Sequence, residues 1–232
     1  MTTAERIIQG KKDLDEVKAQ GKEAERREKW NKRIEGLKSG WTYGFAGRTW
    51  NDETFTPYSD IAMNAGFNLI GLFAYSDITD LKGIMERYGA YLDLSLGASC
   101  QNLFANAKAT HIPKLILSSA TTINTAFNGC TDLISIEELS VPKISSATDA
   151  FKNCTSLEEI RISGEIKVRI DFHWSPLSEE SVESIVSALS DTVTGQTVTF
   201  NLSKIEGIYN GTTNWDKLQA TKPNWTFALA DV

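Results

Sequence analysis

Few of the residues that usually carry chemistry are present. The 232 residues include two histidines and three cysteines. Neither Cys-x-x-Cys nor a closely spaced pair of imidazoles occurs, so the ligand set of a zinc site is missing. An odd cysteine count behind a charged N-terminus argues for reduced thiols rather than a disulfide framework. There is no phosphate-binding glycine loop, dinucleotide signature, EF-hand pattern or Gly-x-Ser-x-Gly elbow. Long apolar runs are also lacking. No stretch approaches the roughly 18 residues of a spanning helix, and Met1 to Leu37 alternates charges where an export signal would need an apolar run, so membrane insertion is not expected. A basic excess is missing as well: 24 Lys/Arg face 30 Asp/Glu, which gives no general case for nucleic-acid binding.

What is there begins with a charged helix. Residues 1–40 hold eleven Lys/Arg and eight Asp/Glu, which leaves 13 and 22 for the rest, so a basic leader precedes an acidic body. From Thr3 to about Lys38 the chain is rich in Glu, Lys, Arg, Gln and Ala, lacks Pro, and starts on threonines suited to capping. Its apolar residues are sparse, and Gly10 and Gly21 interrupt them. Such a thin stripe cannot hold a long helix by itself. Two packings answer the need: an arm lying on its own body, or an oligomeric bundle using Ile7, Leu14 and Val17 as a heptad seam. The next segment, Trp41 to Trp50, is dense in aromatics and glycine. It reads as a cap over the end of a core, and less readily as a ligand-stacking surface.

The informative region starts at Phe67. Four segments align on Phe73, Phe104, Phe127 and Phe151, and the intervals of 31, 23 and 24 residues match the periods of leucine-rich repeats. Four before each Phe stand Leu69, Cys100, Ile123 and Ala147; one before stand Leu72, Leu103, Ala126 and Ala150; three after stand Ser76, Ala107, Cys130 and Cys154. Offsets of −4, −1, 0 and +3 describe one face of a short helix. Eight or nine residues beyond each Phe comes an aliphatic, Leu81, Ile112, Ile136 or Ile160, and the last two lie in β-branched stretches suited to a strand. Helical turn and strand therefore alternate, and units that cannot bury their apolar faces alone must stack. The expected fold is an α/β solenoid with a repeat core of Phe73, Phe104, Phe127, Phe151, Cys130, Cys154, Ile136 and Ile160.

After Ile162 the repeat fades. Ser178 with Glu179, Glu180 and Ser181 reads as a capped helix start. A strand over Thr197–Leu202, a helix near Trp215–Thr221 and a strand Trp225–Leu229 follow, together a closing α+β cap. The expected organisation is 1–40 charged helix for docking or oligomerisation, 41–66 aromatic cap, 67–165 repeats and 166–232 C-terminal cap.

Ala126-Phe127-Asn-Gly-Cys130-Thr-Asp-Leu133-Ile-Ser-Ile136 and Ala150-Phe151-Lys-Asn-Cys154-Thr-Ser-Leu157-Glu-Glu-Ile160, with Pro113 and Pro142 after the strands, resemble the BspA-like leucine-rich-repeat family over about residues 67–165. The first two segments depart from it, with Ser76 and Ala107 in place of Cys. The layout is also similar to small virion proteins of tailed bacteriophages and prophages, through Phe45-Ala-Gly47, Trp50-Asn-Asp52, Trp174-Ser-Pro-Leu-Ser178 and Lys222-Pro-Asn-Trp-Thr226. That resemblance implies a tail- or fibre-associated structural, decoration or host-attachment protein.

Catalysis finds little support. All three cysteines fall in apolar columns and read as packing. His111 and His173 are far apart in the chain; His111 reads as a surface residue beside a strand, and His173, between Phe172 and Trp174, as a cap residue that could also touch a ligand. Glu158 and Glu159, if consecutive in a strand, point to opposite faces and do not converge. Gly-Ile-Tyr-Asn-Gly around Tyr209 reads as a turn. The basic leader, with acids interleaved, reads as a solvated face with i,i+4 pairs. The expectation is a non-enzymatic virion protein without cofactor or metal. Its partners are other virion proteins, further copies of itself (a trimer is preferred) and a host surface glycan or protein, but not nucleic acid. The alternative is a bacterial surface adhesin or interaction module, located on the cell surface; a glycan-processing enzyme using the Trp-rich segments is a third reading.

Overall fold

The computed structural model describes residues 3–38, 61–62, 69–87, 92–95, 97–209 and 212–231. The elements are α1 (Thr3–Lys38), β1 (Ile61–Ala62), α2 (Leu81–Arg87), β2 (Leu92–Asp93), β3 (His111–Ile112), β4 (Leu115–Ile116), β5 (Ser135–Ser140), β6 (Glu159–Ser163), β7 (Ile170–Asp171), α3 (Glu179–Ala188), β8 (Gln196–Asn201), α4 (Leu202–Tyr209), α5 (Thr212–Ala220) and β9 (Trp225–Ala230). The expected solenoid is corrected. The chain is a small α/β protein with five helices among the described residues and two short parallel sheets, one of β1 to β6 and one of β7, β8 and β9.

Two findings overturn the expected repeat of helix and strand. The first is local: the segments centred on Phe73, Phe104, Phe127 and Phe151 are successive hydrogen-bonded turns, not helices. Residues two before and two after each Phe have positive φ: Gly71 and Tyr75, Asn102 and Asn106, Thr125 and Gly129, Asp149 and Asn153. Left-handed residues at this spacing aim every second N–H at the next segment instead of back into a helical turn. Thus Phe73 N donates to Leu103 O at 2.8 Å, Phe104 N to Ala126 O at 2.7 Å and Phe127 N to Ala150 O at 2.9 Å. The −4, −1, 0 and +3 side chains still share a buried side, but on a turn ribbon.

The second is the break between the sheets. In the first sheet β5 pairs with β3, β4 and β6. Pro113, which lacks an N–H, stands between β3 and β4. Among the described residues no strand pairs with the far side of β6. Instead α3 supplies acceptors, Ser181 Oγ for Ile160 N at 2.9 Å and Ser184 Oγ for Ile162 N at 3.0 Å. A helix that satisfies strand donors with serines ends the ladder, and the second sheet begins anew at β7, linked by a bridge between Ile166 and Leu189.

Other expectations meet varied outcomes. The charged helix covers Thr3–Lys38, and Ser178 caps α3 by accepting from Ser181 N. Leu81, expected in a strand column, opens α2 instead, and Tyr209, expected in a turn, ends α4. The segment Trp41–Trp50, with Phe45–Gly47 and Trp50–Asp52, lies outside the described residues.

One buried cluster runs from Trp30 to Trp225. At its centre the phenylalanines are stacked: Phe73–Phe104 at 4.8 Å between ring centroids, Phe104–Phe127 at 5.8 Å and Phe127–Phe151 at 5.2 Å, with planes within 9° of parallel. The column continues past residue 165 through Phe172, 4.5 Å from Phe151, and Phe200, 6.3 Å further. Each contact lies within the range where ring pairs add about 0.5–1.5 kcal/mol beyond burial.

Candidate binding faces

The residues singled out from sequence fall into three places. Phe73, Phe104, Phe127, Phe151, Cys130, Cys154, Ile136 and Ile160 are all buried in the central cluster. Cys130 Sγ donates to Phe104 O at 3.0 Å and Cys154 Sγ to Phe127 O at 3.1 Å, so each thiol ties its segment to the preceding one. Burial pushes the Cys100 and Cys130 thiols up to about 12 and Cys154 well above the ordinary thiol value. Thiols held protonated in this way are poor nucleophiles.

The candidate seam lies on α1. Leu14 and Val17 are 52% and 63% exposed; the side chain of Ile7 lies outside the described residues. From Ile8 to Lys29 every residue is exposed, and then Trp30 enters the core at 6% exposure. Ion pairs Glu23–Arg27, Glu25–Lys29 and Glu28–Lys32 brace the solvated faces, each in the favourable Glu-to-basic i,i+4 order. At about 1.5 Å per residue the helix is roughly 50 Å long.

The third place is the outward surface of the sheets. On the first, Lys82 of α2 pairs with Glu137 of β5 at 3.5 Å, and neighbouring segments pair through Lys108 with Asp132 at 3.3 Å and Lys114 with Glu138 at 2.8 Å. Glu138 also accepts from Ser163 Oγ at 2.8 Å. The Lys114 ammonium, followed by that hydroxyl, holds the Glu138 carboxyl below its usual range. Glu158 and Glu159 are both exposed, because the N–H groups of both converge on Ile134 O at 3.0 and 3.1 Å and alternation fails there.

Both histidines are partnered, in different ways. His111 Nδ1 lies 2.8 Å from Ser135 Oγ. Glu159 is in register with Ser135 on the strand beyond, beside the serine rather than behind the imidazole. In a nucleophilic triad the carboxylate must orient the base, so this row has the wrong order. His173 has the carboxylate, Asp171 Oδ1 at 2.6 Å from Nδ1, while the hydroxyl of nearby Ser175 is buried without a partner. The elements of acyl transfer are thus divided between two sheets. Among the described residues no three His, Cys, Asp or Glu side chains gather as a metal cage would require.

Sequence reasoning missed Asp171 as the partner of His173. The Asp-x-His spacing was the available signal, since alternate strand residues share a face. No protein-family model matches the chain, and no curated protein or solved structure matches it significantly.

Proposed function

We propose that the chain is a non-enzymatic structural or host-attachment component of a bacteriophage particle, docked or oligomerised through α1 and presenting its sheet faces outward. The observation that carries this reading is α1 itself: a helix exposed from Ile8 to Lys29 and entering the core at Trp30. A helix exposed over so long a stretch gains its packing from something else. A symmetric homo-oligomer along Ile7, Leu14 and Val17 supplies that packing and a repeated point of attachment. The similarity of the Trp174–Ser178 and Lys222–Thr226 motifs to those of small virion proteins supports the location. The paired charges on the first sheet suit a solvated display surface.

Mass spectrometry of purified particles tests the reading. The chain is expected among the particle proteins, at a copy number that is a multiple of its oligomeric state. Its absence from intact particles contradicts the proposal.

A further inference from the structure

The outward face of the second sheet differs from that of the first. Ile170 and Phe172 turn into the core, so Arg169, Asp171 and His173 turn out. Val198 and Phe200 turn in and leave Thr197 and Asn201 half-buried on the opposite side, with Thr199 between them buried at 6% exposure; on β9, Phe227 and Leu229 pack against the core, leaving Thr226, Ala228 and Ala230. Register sets Asp171, Thr199 and Ala228 in one row and Thr197 beside Thr226. The floor is therefore made of small side chains, and one rim carries Arg169, Asp171, His173 and Trp174.

That rim is fixed by the protein's own bonds. Asp171 Oδ1 accepts the His173 backbone N–H at 3.1 Å besides facing Nδ1. Asn201 Nδ2 donates to His173 O at 2.9 Å, and Phe172 N to Thr199 O at 2.8 Å. Asp171 Oδ2 lies 3.8 Å from a largely exposed Arg169 guanidinium. The indoles of Trp30, Trp215 and Trp225 are buried, whereas Trp174 is only half-buried, its ring 4.8 Å from the His173 imidazole.

We infer that this face binds a neutral oligosaccharide of a bacterial surface polymer, an inference that rests on the host-attachment reading and names the ligand of that surface. A pyranose has an apolar C–H face and an edge of hydroxyls. The indole of Trp174 covers the first. Asp171 Oδ2 accepts from, and Arg169 donates to, adjacent hydroxyls of the second, while the Thr197 and Thr226 hydroxyls line the floor. One guanidinium balanced by one carboxylate leaves no net charge to attract phosphate or a polyanion. Rigidity before binding limits the ordering cost of a weak, multivalent contact.

The full-length chain is applied to an array of immobilised neutral hexose and N-acetylhexosamine oligosaccharides. The wild type is expected to bind at least one; Trp174→Ala and Asp171→Asn are expected to weaken that binding tenfold or more, Trp174→Phe less, and Lys114→Ala on the first sheet not at all. Thr226→Tyr, at an exposed strand position, fills the floor without removing a packed group and is expected to abolish binding even if Trp174→Ala melts early. Failure to bind any neutral oligosaccharide, or binding that survives Thr226→Tyr and Trp174→Ala, overturns the inference. Particle mass spectrometry is read separately: a chain present in particles but blind to sugars overturns this inference alone, and sugar binding by a chain absent from particles overturns only the location.

Discussion

The hydroxyl of Ser175 is buried with no hydrogen-bond partner, and its position explains why it can be improved. Ser175 N donates to Phe172 O just as Cys154 N donates to Phe151 O, so Ser175 stands three residues after a column phenylalanine, where Cys130 and Cys154 stand in their segments. A thiol there reaches the carbonyl of the preceding segment; the shorter Ser175 hydroxyl makes no such bond. An unsatisfied buried hydroxyl costs about 1–3 kcal/mol. Ser175→Ala is therefore expected to stabilise the protein by about 1 kcal/mol, raising the melting temperature by roughly 2–4 °C. A lower melting temperature in calorimetry would show that the hydroxyl is satisfied. The thiols lead to a chemical prediction. With Cys100 and Cys130 pushed up to about 12 by burial and Cys154 raised in the same way, iodoacetamide at pH 8 is expected to leave all three unmodified in the native protein and to modify them in denaturant. Rapid native labelling of any one would mean that its segment opens.

Among the elements, the turn ribbon and the serine-capped strand edge decide the architecture. The apolar offsets −4, −1, 0 and +3 were legible because burial selects them, but a helix and a ribbon of alternating handedness bury the same four. What separates the two is the column two residues either side of each Phe. Gly71, Asn102, Asn106, Gly129, Asp149 and Asn153 are poor helix residues that accept positive φ readily, and that signal was present in the sequence. The end of the first sheet was less legible: Ser181 and Ser184 look like ordinary polar positions of an amphipathic helix until β6 lies beside them. The Asp171–His173 pair was signalled by its Asp-x-His spacing, whereas its neighbours on β8 and β9 depend on parallel register across distant segments, which local spacing does not supply. Ser181 provides the test. Its Oγ accepts from Ile160 N and donates to Glu158 O at 3.0 Å. Ser181→Ala strands a buried strand donor, with an expected loss of about 1–3 kcal/mol in urea unfolding. A change under about 0.5 kcal/mol would mean that the edge is satisfied in another way.

At the scale of the whole molecule, a phenylalanine column from Phe73 to Phe200 unites both sheets in one buried cluster, while α1 is exposed from Ile8 to Lys29 and joins the cluster at Trp30. Inside the cluster, residues are specified by packing. On α1 the sequence specifies a helix and its ion pairs but leaves every residue from Ile8 to Lys29 exposed, and Gly10 and Gly21 would meet nothing within 4 Å if they carried a Cβ. Each glycine in a helix interior costs about 1 kcal/mol relative to alanine, and a single copy of the chain gives no packing reason for either. On the proposed function, α1 finds its packing in other copies through Leu14 and Val17. The most direct measurement is light scattering of the full-length protein beside the double variant Leu14→Asp, Val17→Asp. The wild type is expected at a mass twice 25.7 kDa or a higher multiple, and the variant at the single-chain mass with its core intact; a wild type that scatters as one chain at every concentration tested would show that α1 does not pack against other copies.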